Sequence, residues 1–273
     1  MKPTTDFGVA TLPDGARLHY SIAGAIDAPL LLLNRPLGGS MDLWGEFEDK
    51  LAESFRVLAF DPRGVGRSSD LPLTFGTRDM ARDVVTLMDT LSLRRAHVFG
   101  LSLGGMVASW LAADAGERVE RLVLASTLPN IGTVSSHVVL SALPLLGSFT
   151  SPGVDAEVRL VRNILSSDFR KHHPDRLHAI ERSVREQPAT RRNLLLLALA
   201  AARHRTSPSL IAKHPPALLL FGEWDRIARE RSEAELLRDL PNAELAIVPR
   251  SGHDLSLEQP VVTAERVVAF LNK

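Results

Sequence analysis

The chain has 273 residues, of which 45% are hydrophobic, so it can bury a large core and suits one elaborated domain better than two independent ones. Its 32 basic and 32 acidic residues balance, which gives no reason to expect nucleic acid or an anionic membrane as a partner. The absence of cysteine excludes disulfides, metal-thiolate sites and a cysteine nucleophile.

Short apolar runs alternate with amphipathic stretches along the first half of the chain. Two strands, at residues 7–11 and 16–23, are predicted to form an antiparallel hairpin because a Pro-Asp-Gly turn joins them. A uniformly apolar run at 30–33 predicts a strand that is covered on both faces, and apolar runs at 56–60 and 96–101 predict two further buried strands. Helices are predicted at 44–54 and 77–91. Strands that alternate with helices indicate a mostly parallel sheet with right-handed crossovers.

This alternation stops after a predicted strand at 121–125. From residue 128 to 214 the pattern is helical, with helices predicted at 154–165, 173–186 and 190–203. We interpret 128–214 as a helical cap over the mouth of a site, although an extra helical layer without such a role is the alternative. Strands at 217–221 and 243–248 and helices at 230–240 and 261–271 then resume the alternation. The predicted core therefore comprises 1–127 and 215–273.

A Gly-x-Ser-x-Gly pattern lies between the strand at 96–101 and an alanine-rich helix. This pattern in this context is the nucleophile elbow, which makes Ser102 the candidate nucleophile. Any Cβ at Gly100 or Gly104 would collide with the neighbouring strand or helix. The same turn leaves the backbone amide of Leu103 free at a helix N-terminus, where it can face a developing negative charge.

Two further candidates follow later strands. Asp225 comes after the strand at 217–221, and His253 comes after the strand at 243–248. Because catalytic groups of such sheets lie at the carboxyl ends of strands, Ser102, Asp225 and His253 are predicted to meet as nucleophile, acid and base. Glu223 is an alternative acid. Asp254 and Glu258 are weaker alternatives, because residues beside a histidine rarely reach round to its ring.

Four motifs together carry a resemblance to a known family. They are Arg35-Pro36-Leu37-Gly38-Gly39-Ser40 with Trp44, Asp61-Pro62-Arg63-Gly64-Val65-Gly66-Arg67-Ser68, Gly100-Leu101-Ser102-Leu103-Gly104-Gly105, and the loops that hold Asp225 and Ser251-Gly252-His253. Over nearly its whole length the chain resembles the α/β-hydrolase fold superfamily, and within it the capped 3-oxoadipate enol-lactonase-like hydrolases, small esterases and carbon–carbon bond hydrolases. The resemblance implies an eight-stranded, mostly parallel sheet flanked by helices, with a helical cap.

The resemblance also implies further site residues. The second oxyanion donor would be the amide of Leu37, paired with that of Leu103. Relatives commonly carry His-Gly before this residue, whereas this chain has Arg35-Pro36. Arg35 is a candidate contact for a substrate carboxylate or, alternatively, an ion-pair partner of an acidic side chain below the loop. Trp224 is a candidate substrate contact, although a packing role is the alternative for it.

The resemblance also implies that Asp61 and Arg63 fix the conformation of their own loop rather than act in catalysis. Trp44 is interpreted as a packing group.

These residues predict a serine hydrolase that cleaves a carboxylic ester or lactone of a small molecule through an acyl-enzyme, without a metal or an organic cofactor. Cleavage of a carbon–carbon bond or a thioester by the same triad is an alternative, and so is a non-catalytic receptor for a small ligand. No signal peptide is evident and the longest apolar run, 194–202, is too short to span a bilayer. We therefore expect a cytoplasmic monomer or homodimer that binds neither nucleic acid nor membrane.

Overall fold

The computed structural model describes residues 5–130, 154–206, 210 and 214–273. Its strands are β1 (Thr5–Thr11), β2 (Arg17–Ala23), β3 (Leu30–Asn34), β4 (Arg56–Phe60), β5 (Ala96–Leu101), β6 (Val119–Ala125), β7 (Ala217–Gly222) and β8 (Glu244–Val248). Its α-helices are α1 (Gly45–Leu51), α2 (Thr77–Thr90), α3 (Leu103–Asp114), α4 (Val154–Ile164), α5 (Ser167–His172), α6 (Pro174–Glu186), α7 (Arg191–Ala202), α8 (Arg231–Asp239), α9 (Leu255–Glu258) and α10 (Pro260–Leu271). Short 3₁₀ turns occupy Met41–Leu43 and Gly116–Arg118.

The strands form one eight-stranded sheet in the order β1-β2-β4-β3-β5-β6-β7-β8. β1 pairs antiparallel with β2, and β2 pairs antiparallel with β4. The remaining pairs, from β4 through to β8, are parallel. The predicted fold class, an eight-stranded and mostly parallel sheet, is confirmed. Because β3, β5, β7 and β8 are parallel, the loops that follow them leave the sheet at the same edge.

Both faces of the central strands are covered, which explains why these strands are mostly apolar. Along β3 the side chains alternate, so that Leu32 packs in the hydrophobic cluster that contains α2 and α3. Leu31 and Leu33 point the other way and pack in the cluster that contains α1 and α10. All three leucines are fully buried. Period-two alternation in a strand between two helical layers therefore favours apolar residues on both faces of the strand.

The described part of the predicted cap is helical from Val154 to Ala202. α4, α5 and α6 share a small hydrophobic cluster that also includes Leu43 and Leu257 of the remainder of the chain. Leu197 of α7 instead joins the larger cluster that contains α2 and α3. Residues 131–153 of the predicted cap lie outside the described residues, and the boundaries at 128 and 214 stay a prediction. Within the described ranges, no helix is both long and apolar enough to cross a membrane.

Candidate active site

The turn between β5 and α3 has the strained geometry that its sequence predicts. Ser102 adopts φ 56° and ψ −115°. Residues other than glycine rarely adopt this backbone conformation, and it persists only where the surrounding structure enforces it. A Cβ built on Gly100 would lie 2.4 Å from the carbonyl oxygen of Gly104. A Cβ on Gly104 would lie 2.1 Å from the carbonyl oxygen of Asn34. Glycine at both positions therefore lets α3 start directly against β3 and β5.

We expect Gly104→Ala to destabilise the protein by about 1–3 kcal/mol or more, because the new methyl group meets backbone atoms that cannot rotate away. The matched control is Gly116→Ala, since a Cβ at Gly116 meets nothing within 4 Å. Urea unfolding of both variants measures the effect. Equal stabilities of the two variants would contradict the steric account of the elbow.

The structure brings Ser102, His253 and Asp225 into one row of contacts. His253 Nε2 lies 2.8 Å from Ser102 Oγ. On the other side of the ring, Nδ1 lies 3.1 and 3.0 Å from the two carboxylate oxygens of Asp225. Asp225 and His253 are buried, whereas Ser102 is partly accessible. The three side chains belong to the loops that follow β7, β8 and β5, so the parallel sheet brings them together.

The two buried members of this row shift each other's ionisation. Burial opposes the charged form of each group, but the attraction between them and their hydrogen bond outweigh this effect. The pKa of Asp225 is lowered, with additional help from the backbone amides of Ile227 and Ala228, which donate to its Oδ1. The pKa of His253 is raised. A carboxylate held ionised beside the imidazole is suited to stabilise an imidazolium that forms during proton transfer.

The other candidate acids have different partners. Glu223 accepts a hydrogen bond from the backbone amide of Arg250. Asp254 accepts a hydrogen bond from the side chain of Arg35, and Glu258 accepts one from the hydroxyl of Ser166. Asp225 is the carboxylate that contacts the imidazole of His253.

Two backbone amides, those of Leu37 and Leu103, are the predicted oxyanion donors. Within the described part of the chain, neither donates a hydrogen bond to a protein acceptor. Leu103 is the first residue of α3 and follows Ser102 directly. Gly38, which follows Leu37, lines the same small cavity as Leu103, so the loop after β3 lies beside the elbow. The arrangement leaves both amides available to an acceptor.

The predicted substrate contacts have different surroundings. The side chain of Arg35 is only 2% exposed and forms an ion pair with Asp254, at 3.1 Å between Nη2 and Oδ2. This geometry does not support a contact between Arg35 and a substrate carboxylate, because the guanidinium is already buried and paired. It matches the alternative role of Arg35 as an ion-pair partner. Trp224 is 38% exposed.

A cleft of about 980 Å³ opens between the end of α4 and the loop after β7, and Trp224 is part of its wall. Asp225 and His253 also line this cleft. Trp224 is therefore placed where a bound molecule could reach it. Among the described residues, no three histidine or acidic side chains are grouped so that they could hold a metal ion.

Loop residues Asp61 and Arg63 hold their surroundings in place. The backbone amides of Met41 and Arg67 donate to the buried carboxylate of Asp61, at 2.7 and 3.0 Å. Arg63 makes a bidentate pair with Asp83. Trp44 is buried against Phe47 and Phe99 in the core. These contacts agree with the loop-fixing and packing roles expected for these residues.

Contacts between the helical segment Val154–Ala202 and the residues at and after His253 could not be predicted from the sequence. Glu258 accepts hydrogen bonds from the backbone amide and the hydroxyl of Ser166, at 2.9 and 2.5 Å. The amide of His253 itself donates to the carbonyl of Ile164, at 3.2 Å. Because 92 residues separate Ser166 from Glu258, no local pattern could have indicated this pairing.

A further buried carboxyl group, that of Glu157 on α4, lies over the loop after β3. Its Oε2 accepts a hydrogen bond from the amide of Ala189, whereas its buried Oε1 has no hydrogen-bond partner. A Cβ on Gly38 would lie 3.4 Å from this Oε1. Burial raises the pKa of Glu157 to about 8, although the Ala189 amide opposes the shift. The carboxyl group of Glu157 is therefore mostly protonated in the folded protein at neutral pH.

We expect this carboxyl group to make stability depend on pH. Its pKa is higher in the folded protein than in the unfolded chain, so its contribution is complete below about pH 4.5 and is lost as the pH rises towards 8. Glu157→Gln should therefore have a flatter curve of Tm against pH and a higher Tm than the parent at pH 8. Exposed Glu53→Gln is the control. Parallel curves for Glu157→Gln and the parent would contradict this expectation.

Comparison with known proteins agrees with the observed fold. Residues 29–260 match the family model described as alpha/beta hydrolase fold. RutD of Pseudomonas savastanoi pv. phaseolicola, named as a carbamate hydrolase, is 31% identical over 251 residues, which are 90% of this chain and 95% of that protein. 3-Oxoadipate enol-lactonase 2 of Acinetobacter baylyi is 24% identical, over 94% of this chain and 93% of that protein.

Solved structures show the same likeness. The enol-lactonase of Burkholderia xenovorans LB400 superposes with a TM-score of 0.85 at 27% identity, over 97% of this chain and 100% of that chain. With a family model that spans most of its length, the chain belongs to the alpha/beta hydrolase fold family.

Proposed function

We propose that the chain is a serine hydrolase that cleaves a carboxylic ester or lactone of a small molecule through a Ser102-His253-Asp225 triad. The observation that carries the proposal is the continuous row of contacts from Ser102 Oγ through the imidazole to the Asp225 carboxylate. A nucleophile, a base and an orienting acid within hydrogen-bond reach are the components that acyl transfer requires.

The reaction follows from these positions. His253 Nε2 takes the proton of Ser102 as Oγ attacks the carbonyl carbon, while Asp225 holds the ring through Nδ1–H. The amides of Leu37 and Leu103 bind the oxyanion, and the imidazolium then protonates the leaving alcohol. Water, deprotonated by His253, hydrolyses the acyl-enzyme and releases the carboxylic acid. The chemistry needs no metal or organic cofactor.

The proposed substrate class draws on the relatives as well as on the site. An enol-lactonase and a carbamate hydrolase both act at a carbonyl that bears a heteroatom leaving group, and these are the names of two proteins similar to this chain. The substrates of carbon–carbon bond hydrolases are often anionic, so an Arg35 side chain at the mouth of the site would favour that alternative. Arg35 is instead buried and paired with Asp254, which gives the alternative no support. We propose that residues 128–214 form the cap that selects among small substrates.

An activity screen with an active-site probe tests the proposal. Short p-nitrophenyl esters, lactones, thioesters and aryl carbamates are compared by kcat/KM, and a fluorophosphonate probe is followed by intact mass. We expect ester or lactone turnover and labelling of one serine per chain, located at Ser102 by peptide mapping. A protein that binds these compounds, turns over none of them and resists the probe would be a receptor instead. Preferred thioester turnover would correct the leaving group but keep the triad.

A further inference from the structure

The side chain of Arg35 joins two loops that are 219 residues apart in the sequence. Its Nη2 donates to Asp254 Oδ2 at 3.1 Å, and its Nη1 donates to Ser256 Oγ at 3.3 Å. The guanidinium also lies over the ring of Trp44, with 4.4 Å between Cζ and the ring centroid. Both partners of the ion pair are almost completely buried. The guanidinium therefore occupies a fixed position in the protein interior.

The ion pair between Arg35 and Asp254 connects two segments of the proposed catalytic site. Arg35 is followed by Pro36 and Leu37, which carries the proposed oxyanion amide, and Asp254 directly follows His253. The loop after β3 closes round the guanidinium, because a Cβ on Gly39 would lie 2.9 Å from Arg35 Nε. Arg35 thus connects the loop that would bind the oxyanion to the loop that holds the base.

We propose that Arg35 is a positioning residue that fixes the Leu37 amide and the His253 ring relative to each other on either side of Ser102. The proposal rests on the proposed function and adds to it a residue that touches no substrate. A shift of about 1 Å in either group costs roughly 100-fold in rate, because the reacting atoms must be aligned. An ion pair between the two loops restrains both of them at once.

The first test separates positioning from folding. Loss of one member of a buried ion pair leaves an unpaired charge and destabilises the fold, whereas replacement of both members by neutral groups is often tolerated. The informative variant is therefore Arg35→Met with Asp254→Asn. Asparagine can still accept the bonds that Asp254 Oδ1 receives from Ser256 Oγ and the Leu257 amide at the start of α9.

We expect the double variant to keep a Tm close to that of the parent, while kcat for a p-nitrophenyl ester falls about 10- to 100-fold and KM changes little. This split indicates lost alignment in the transition state. A double variant with the parental kcat would overturn the proposal. If the double variant fails to fold, Arg35→Lys replaces it, because lysine keeps the charge but offers a compact donor in place of the planar fork.

The second test measures the pKa of His253 in the absence of substrate, by NMR titration of ¹⁵N-histidine-labelled protein. The imidazole faces the carboxylates of Asp225, Asp254 and Glu258, each of which raises its pKa, and Arg35 neutralises Asp254. At a temperature at which all three variants are folded, the pKa of His253 should rise in Arg35→Met, fall in Asp254→Asn and return towards the parental value in the double variant. An unchanged pKa in both single variants overturns the coupling. If the pKa values move as expected but the parent hydrolyses no ester, the proposed function fails and the coupling stands.

Discussion

Ser102→Ala is expected to lower kcat/KM for a short p-nitrophenyl ester by about 10⁵-fold or more. Ser102 Oγ is the atom that His253 Nε2 approaches to 2.8 Å, and alanine removes the nucleophile together with the proton that the base would take. The two backbone amides remain, so a small rate above that of buffer is expected to persist. Release of p-nitrophenolate under single-turnover and steady-state conditions measures the loss.

The matched control for this prediction is Ser109→Ala. Ser109 lies on α3, the helix that follows Ser102, is buried, and donates its hydroxyl to the carbonyl of Gly105. The control should keep the parental activity and the reactivity with fluorophosphonate. Both variants should unfold near the parental Tm, because alanine and serine experience similar strain at the positive φ of position 102. Ester hydrolysis by Ser102→Ala at the parental rate would refute the mechanism.

The sheet could be predicted from the sequence because its signal is local. β7 and all of β3 except its last residue, Asn34, are apolar, because burial on both faces favours apolar side chains. The positions of Ser102, Asp225 and His253 follow from the same pattern, since Ser102 comes directly after one predicted strand and the other two lie in the loops that follow later strands. A parallel sheet brings such positions to one edge whatever their separation in sequence. Hence the residues proposed for catalysis could be selected before any coordinates were available.

Short helices and long-range partners could not be predicted in this way. α5 and α9 have six and four residues, too few to show a 3.6-residue period. The partner of Arg35 is Asp254, which the sequence offered only as a weak alternative acid, because charge and spacing do not indicate which loops meet. In the sequence, Glu157 cannot be distinguished from a solvent-exposed glutamate on a helix. Its burial follows from the packing of α4 over Gly38.

Asp225→Asn is the variant that tests the third member of the row, and we expect it to lower kcat by about 10⁴-fold. The Asp225 carboxylate accepts from Nδ1 and so places the lone pair of His253 on Nε2, towards Ser102. An asparagine amide that donates to Nδ1 would stabilise the opposite tautomer, in which Nε2 carries a proton and cannot act as the base. The kinetics of p-nitrophenyl ester hydrolysis measure the effect.

The pH profile of Asp225→Asn distinguishes loss of the productive tautomer of His253 from damage to the fold. Asp225 raises the pKa of His253, so its neutral replacement lets that pKa fall and moves the acid limb of kcat/KM to lower pH. Glu223→Gln, in the same loop and exposed, should leave both the rate and the acid limb in place. If Asp225→Asn is nearly as active as the parent, the carboxylate seen beside His253 is structural. If Glu223→Gln is the inactive variant, then the loop after β7 rearranges when substrate binds and the acid is Glu223.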